Sequence, residues 1–89
     1  MSWTIYWSEA AEAELELILS AAPDPPKLLV ACTQLEQELK TNPIEAGESR
    51  TENYRVIFCL PMVAYFVPHP QQAAIQITHV RAAWKPHQR

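Results

Sequence analysis

Five side chains in the second half of the chain have the types needed to act on an anionic substrate: Glu48, Arg50, Arg55, His79 and Arg81. An arginine guanidinium presents a planar set of donors that matches the oxygens of a phosphate. Histidine titrates near neutral pH, so His79 can serve as a general acid or a general base. Glu48 and Arg50 are two residues apart, which places both on one strand face, where they could bind phosphate and move a proton.

Each of these residues also has a structural explanation. Arg55 could form an ion pair with Glu48 or Glu52, because ion-pair networks are common in folded proteins. Glu48 could equally be a surface residue with a cross-strand partner. A single histidine in a strand is more often structural than catalytic, although Arg81 is expected on the same strand face as His79.

The charges of the chain are divided unevenly along its length. Residues 1–48 carry nine acidic residues against two lysines, a net charge of −7, whereas residues 49–89 carry one glutamate against five basic residues, a net charge of +4. This asymmetry favours an anionic partner for the second half. The alternative is that the acidic residues only form solvated helix faces. The charge pattern supports these two explanations equally.

The first half of the sequence predicts one strand and two helices. The segment WTIYW, residues 3–7, alternates with the period of a half-buried strand. Ser8 is a suitable N-cap for a helix that runs to Ala22, where the segment PDPP interrupts it. Asp24 can cap a second amphipathic helix that ends near Lys40. The two helices should form a hairpin.

The second half predicts the sheet. The segments YRVIFC and VAYFV are mostly apolar, as central strands are, and PHPQQ is expected to be a loop. The segment AAIQITHV alternates and should place Ile75, Ile77 and His79 on one face. Gly47, the only glycine, is expected to let the chain turn from the helices into the sheet with a positive φ.

These elements predict an α+β fold in the order β-α-α-β-β-β(-β), with a two-helix hairpin packed on a mostly antiparallel sheet. The length of 89 residues and the hydrophobic share of 48% fit a single domain, residues 1–89. The sequence has no apolar run long enough for a membrane span and no signal peptide pattern, which predicts a cytoplasmic protein. Cys32 and Cys59 are expected to be small buried residues, and no cofactor or metal ligand set is recognisable.

In order and spacing, four segments resemble the RelE/ParE superfamily of bacterial toxins across nearly the whole chain. WTIYWSEAAEAELELI is similar to the opening strand and acid-capped helix of that family, and LEQELKTNP to the end of its second helix. GESRTENYRVIF resembles its arginine-containing hairpin with a Tyr-Arg pair, and IQITHVR its last strand, which often ends in His-x-Arg.

The resemblance implies the toxin of a type II toxin–antitoxin pair, with a cognate antitoxin as partner and no cofactor. Some members cut mRNA in the ribosomal A site and others poison DNA gyrase, and a homodimer is compatible with either. If the chain acts like the ribonuclease members, Arg55 of the Tyr-Arg pair would bind phosphate together with Arg50 and Arg81. Glu48 or His79 would move protons, and the two could form an acid–base pair, as in members of the superfamily that use a carboxylate. Exposed Trp3, Leu19 or Trp84 would be anchors for the antitoxin, since aromatic residues dominate interfaces.

The chain departs from the pattern of the most active ribonuclease members. Those carry paired lysines where this chain has Ala46 and Glu48, and a further basic residue where Ala82 and Ala83 follow the last strand. They are usually strongly basic, whereas this chain has a net charge of −3. A gyrase-directed toxin and a non-toxic homologue that keeps only antitoxin binding therefore stay open as alternatives.

Overall fold

The predicted architecture is confirmed, because two long helices pack on one five-stranded, mostly antiparallel sheet. The computed structural model describes residues 3–49 and 54–83, without the side chains of residues 45 and 46. The elements in chain order are β1 (Thr4–Trp7), α1 (Glu9–Ala21), α2 (Pro25–Thr41), α3 (Pro43–Ala46), β2 (Glu48–Ser49), β3 (Arg55–Cys59), β4 (Met62–His69), a 3-10 turn (Pro70–Gln72) and β5 (Ala74–Ala82).

Both long helices begin at the predicted caps. The hydroxyl of Ser8 accepts a hydrogen bond from the backbone N–H of Ala11 at 3.0 Å, and the carboxylate of Asp24 accepts one from the N–H of Lys27 at 3.2 Å. These bonds satisfy donors that have no partner within the helix. Pro43 ends α2 as expected but also begins α3, a single turn that the sequence did not predict. Its fixed φ and missing N–H suit a first helical position.

The strands lie in the order β1-β5-β4-β3-β2, and only the β1–β5 pair is parallel. The last strand of the chain is therefore an inner strand, between the first strand and the fourth. The helices cover one face of the sheet, and the hydrophobic core lies between the helices and that face. Its largest fully buried side chains are Phe66, Leu28, Leu35, Leu39, Ile57, Met62, Ile75 and Ile77.

β5 contains one residue more than the stretch of β4 that it pairs with. Tyr65 and Phe66 pair with His79 and Ile77, so Thr78 is left over in a β-bulge. Ile77 is buried towards the helices, whereas His79 is exposed. The prediction that His79 shares a face with Ile77 is therefore wrong, because it assumed strict alternation across the extra residue.

β4 is longer than the sequence predicted. The segment expected to be a loop begins inside it, since Pro68 pairs with Ile75 and His69 with Ala74 on β5. Within the described residues, β3 pairs with β4 no further than Phe66. Pro68 therefore has a strand neighbour on one side only, a position where the missing N–H of proline is tolerated.

Gly47 does not have the predicted positive φ, since its φ of −101° and ψ of 164° are ordinary extended values. Its role comes from close packing. A Cβ atom at this position would lie 2.5 Å from Cζ and 2.8 Å from Cε1 of Phe66, well inside van der Waals contact. The only glycine of the chain thus makes room for the largest side chain of the core.

Cys32 and Cys59 are free thiols that lie half-buried beside the core. Burial raises the pKa of both thiols, with a further contribution from the negative charge of Glu36 near Cys32 and of Glu38 near Cys59. Both residues are thus closer to the expected small hydrophobic residues than to reactive thiolates. In the described parts of the chain, no helix is both long and apolar enough to cross a membrane.

Candidate functional site

The face of the sheet opposite the helices holds a depression of about 530 Å³. It is built by the open-face residues of β4 and β5 and by the residue before β3. The depression is lined by Tyr54, Tyr65, Val67, Thr78, His79 and Arg81. We call these six residues the open-face cluster. It combines aromatic surface, an imidazole and a guanidinium, which together suit a ligand with both flat and anionic parts.

The aromatic part of the open-face cluster is a pair of tyrosines. The rings of Tyr54 and Tyr65 lie edge to face, with their centroids 5.9 Å apart and their planes inclined at 63°. The hydroxyl of Thr78 donates to the backbone carbonyl of Tyr65 at 3.2 Å, which ties the bulge of β5 to β4. Such a pair has a defined geometry and leaves ring surface free for a stacked ligand.

His79 is held by a carboxylate from the first helix. Its Nδ1 lies 3.2 Å from Oε2 of Glu14, and the other oxygen, Oε1, accepts the backbone N–H of Val80 at 2.9 Å. The hydrogen bond from the Val80 N–H is the largest cause that lowers the pKa of the Glu14 carboxyl. Burial opposes it, and His79 and Arg81 add to it. Glu14 is therefore an anion at neutral pH, placed beside the imidazole.

The structure brings together two of the five predicted site residues, His79 and Arg81. Glu48 lies in the same cross-strand row but at its far end, since the row runs from Glu48 to Val56, Tyr65 and His79. Three strand spacings amount to roughly 14 Å, so Glu48 and His79 do not form the direct acid–base pair considered from the sequence. Arg50 lies outside the described residues.

Arg55 points to the helix side of the sheet, where it binds backbone carbonyl groups. Its guanidinium Nη2 donates to the carbonyl oxygens of Ile44 and Gly47, the latter at 2.8 Å. Both carbonyls belong to the end of α3, where a cation is favourable. Of the alternatives drawn from the sequence, this geometry favours a structural role, in which Arg55 holds the carbonyl groups of Ile44 and Gly47. Glu52 lies outside the described residues.

Replacing Arg55 by alanine is expected to lower the free energy of unfolding by about 1.5–3 kcal/mol, the usual size for hydrogen bonds made by a charged group. Urea unfolding followed by circular dichroism measures this change. Both bonds come from one nitrogen, Nη2, and the shorter side chain of lysine places its ammonium group less close to the two carbonyls. Arg55→Lys keeps the charge and should therefore recover only part of the loss. An Arg55→Ala protein that unfolds at the wild-type urea concentration would contradict the structural role.

Sequence reasoning missed Glu14, Tyr65 and Thr78 as members of this site. In the sequence, Glu14 is one of the acidic residues of the first half. No local pattern links it to His79, which lies 65 residues later. A signal for the bulge does exist in the sequence. The apolar residues Ile77 and Val80 are three apart rather than two, which breaks the strand period at Thr78. Among the described residues, no three His, Cys, Asp or Glu side chains are grouped to hold a metal ion.

No protein-family model matches the chain, and no curated protein is similar enough to be matched. Solved structures do match over nearly its full length. A chain of the toxin–antitoxin complex RelBE2 from Mycobacterium tuberculosis is 15% identical with a TM-score of 0.78. The match spans 94% of this chain and 95% of that one.

Two further structures agree with this match. A chain of the chromosomal ParDE system from P. aeruginosa is 22% identical with a TM-score of 0.69. The match spans 92% of this chain and 97% of that one. A chain of the archaeal RelE–RelB complex from Pyrococcus horikoshii OT3 is 9% identical with a TM-score of 0.60. The match spans 97% of this chain and 100% of that one. The protein therefore has the RelE/ParE-like fold that its sequence segments predict.

Proposed function

We propose that this chain is the toxin of a type II toxin–antitoxin pair and that it cuts mRNA on the ribosome. The observation that carries the proposal is the open-face cluster, where His79 and Arg81 lie beside the Tyr54–Tyr65 pair on a RelE/ParE-like fold. Single-stranded RNA offers the two groups that such a surface binds. Its bases stack on aromatic rings, and its phosphates pair with arginine.

The residues of the cluster fit cleavage that uses the 2′-hydroxyl of the RNA. His79 removes the proton from that hydroxyl, the 2′-oxygen attacks the phosphorus, and the bond to the 5′-oxygen breaks to leave a 2′,3′-cyclic phosphate. Arg81 holds the charge that develops on the phosphate oxygens. The leaving 5′-oxygen takes up a proton, for which the hydroxyl of Tyr65 or a water molecule is the donor at hand.

One observation favours the second candidate, a gyrase-directed toxin that binds its target without chemistry. Arg55, which the family resemblance assigns to phosphate, is engaged with the carbonyls of Ile44 and Gly47. Arg81 would then be the main cation of the site within the described residues. Both functions place the protein in the cytoplasm, where ribosomes and gyrase are found, and neither requires a cofactor.

An antitoxin would cover apolar residues that the helices leave exposed. Leu17 is 71% exposed on α1, and Leu29 and Val30 are 51% and 56% exposed on α2. These residues fit an antitoxin helix or strand better than the anchors expected from the sequence. Trp3 and Leu19 are half-buried against the core, and Trp84 lies outside the described residues.

Induced expression in a bacterial host tests the proposal. The expected result is growth arrest that is relieved when the product of the neighbouring antitoxin gene is made at the same time. Mapping of transcript ends should then show new cuts within translated codons. DNA-damage signalling without such cuts would instead support the gyrase-directed toxin. Normal growth of cells that contain folded wild-type protein would contradict both and leave the non-toxic homologue.

A further inference from the structure

Glu14 makes hydrogen bonds that a solvent-exposed residue of a helix would not make. Its two carboxylate oxygens bind two different groups of β5, the ring of His79 and the N–H of Val80. Its neighbours Glu12 and Glu16 on α1 are exposed. The side chain of Glu14 is 33% exposed and that of His79 is 53% exposed. The contact therefore lies at the rim of the open-face cluster, where about half of the His79 side chain stays accessible.

The backbone around the bulge explains why a carboxylate is needed there. Among residues 3–49 and 54–83, β1 pairs with β5 only as far as Trp7 and Ile77, and no other strand continues along that side of β5. The start of α1 replaces the missing strand. Ser8 donates its hydroxyl to the carbonyl of Thr78 at 3.1 Å, and Glu14 accepts the N–H of Val80. Glu14 thus fixes the backbone on one side of His79 and the ring itself.

We propose that Glu14 is the positioning residue for His79, a role that rests on the proposed ribonuclease function. Its carboxylate accepts the Nδ1–H of the ring and so selects the tautomer whose Nε2 carries the lone pair. Since Nδ1 is occupied, Nε2 is the nitrogen left to meet a ligand in the open-face cluster. The same carboxylate stabilises the imidazolium that forms when Nε2 takes up a proton.

The ionised state of Glu14 supports this role. Its pKa is lowered, so the carboxylate stabilises the fold above the ordinary glutamate pKa of 4.5, and this contribution is lost as the pH falls through the lowered value. Proton transfer near neutral pH therefore takes place beside a charged Glu14. The other titratable or charged groups that face His79 are Arg81 from the same strand, Tyr65 from β4 and Tyr54, the residue before β3.

The test compares Glu14→Gln with Glu16→Gln, an exposed glutamate two residues along the same helix. Glutamine can still accept the Val80 N–H but carries no charge. We expect Glu14→Gln to cut mRNA on purified ribosomes about 10- to 100-fold more slowly, the range typical of residues that orient a reactive side chain. Glu16→Gln should cut at the wild-type rate.

A second measurement does not depend on cleavage. The ¹⁵N chemical shifts of the His79 ring report its tautomer, and His79→Asn identifies the signals. Wild type is expected to hold the proton on Nδ1, and Glu14→Gln to lose this preference. If wild type does not cut mRNA but shows this tautomer difference, the positioning stands and the ribonuclease proposal fails. If Glu14→Gln keeps the wild-type ring shifts and the wild-type rate, the positioning role is overturned.

Discussion

Replacing His79 by alanine is expected to lower the rate of mRNA cleavage about 10²- to 10⁴-fold, the usual contribution of a general acid–base residue. The side chain is 53% exposed, so its loss removes little buried surface and the fold should stay intact. The rate is measured with purified protein and ribosomes that carry a defined mRNA, under conditions of a single turnover. Circular dichroism and the unfolding midpoint of the same preparation establish that the protein is folded.

His69 offers a matched control for this experiment. It is also an exposed histidine, but it lies at the end of β4 and outside the open-face cluster. His69→Ala should therefore cut mRNA at the wild-type rate. Equal rates for His79→Ala and wild type would remove His79 from the chemistry, and with it the argument for a ribonuclease. The gyrase-directed toxin would then be the better proposal.

Replacing Gly47 by alanine is expected to destabilise the protein although the backbone accepts the new residue. The φ of −101° is comfortable for alanine, and the loss of unfolded-state freedom alone would stabilise the fold by about 0.4–1 kcal/mol. The new Cβ would lie 2.5 Å from Cζ of Phe66, so this fully buried ring would have to shift against the packed core. Overpacking of this kind costs about 1–3 kcal/mol, so the net effect should be a loss.

A double-mutant cycle separates packing from backbone effects at this position. Phe66→Leu alone should destabilise the core because it leaves a cavity. If the ring is what Gly47 makes room for, Gly47→Ala should cost less in the Phe66→Leu background than in wild type. Urea unfolding of the four proteins gives the coupling free energy. Additive effects would show that the glycine is required for some reason other than the ring.

Local patterns were sufficient to predict the two long helices and the presence of the strands, but not the short helix α3 or the full length of β4. The caps at Ser8 and Asp24 are decided by the few residues that follow them, and the amphipathic stripe of each helix is written in its own spacing. The strands likewise followed from apolar segments bounded by turns. These features depend on contacts between near neighbours, which is why the sequence predicts them.

The site was predicted only in part, because its geometry depends on distant residues. The extra residue Thr78 reverses the faces of β5. The spacing of Ile77 and Val80 indicates a break in the strand period, but the pairing with β4 is needed to locate the bulge. Arg55 matched a phosphate-binding pattern, yet the carbonyls of α3 are its partners, and no pattern predicted that helical turn. The link between Glu14 and His79 joins two elements from opposite ends of the chain.

The position of β5 also bears on when the protein becomes functional during its own synthesis. A chain leaves the ribosome from its N-terminus, and among the described strands β1 pairs with β5 alone, where Thr4 pairs with Ala74. Until β5 has been made, β1 lacks this neighbour and Glu14 cannot meet His79. The open-face cluster can therefore assemble only after β5 has left the ribosome, although both long helices are synthesised earlier.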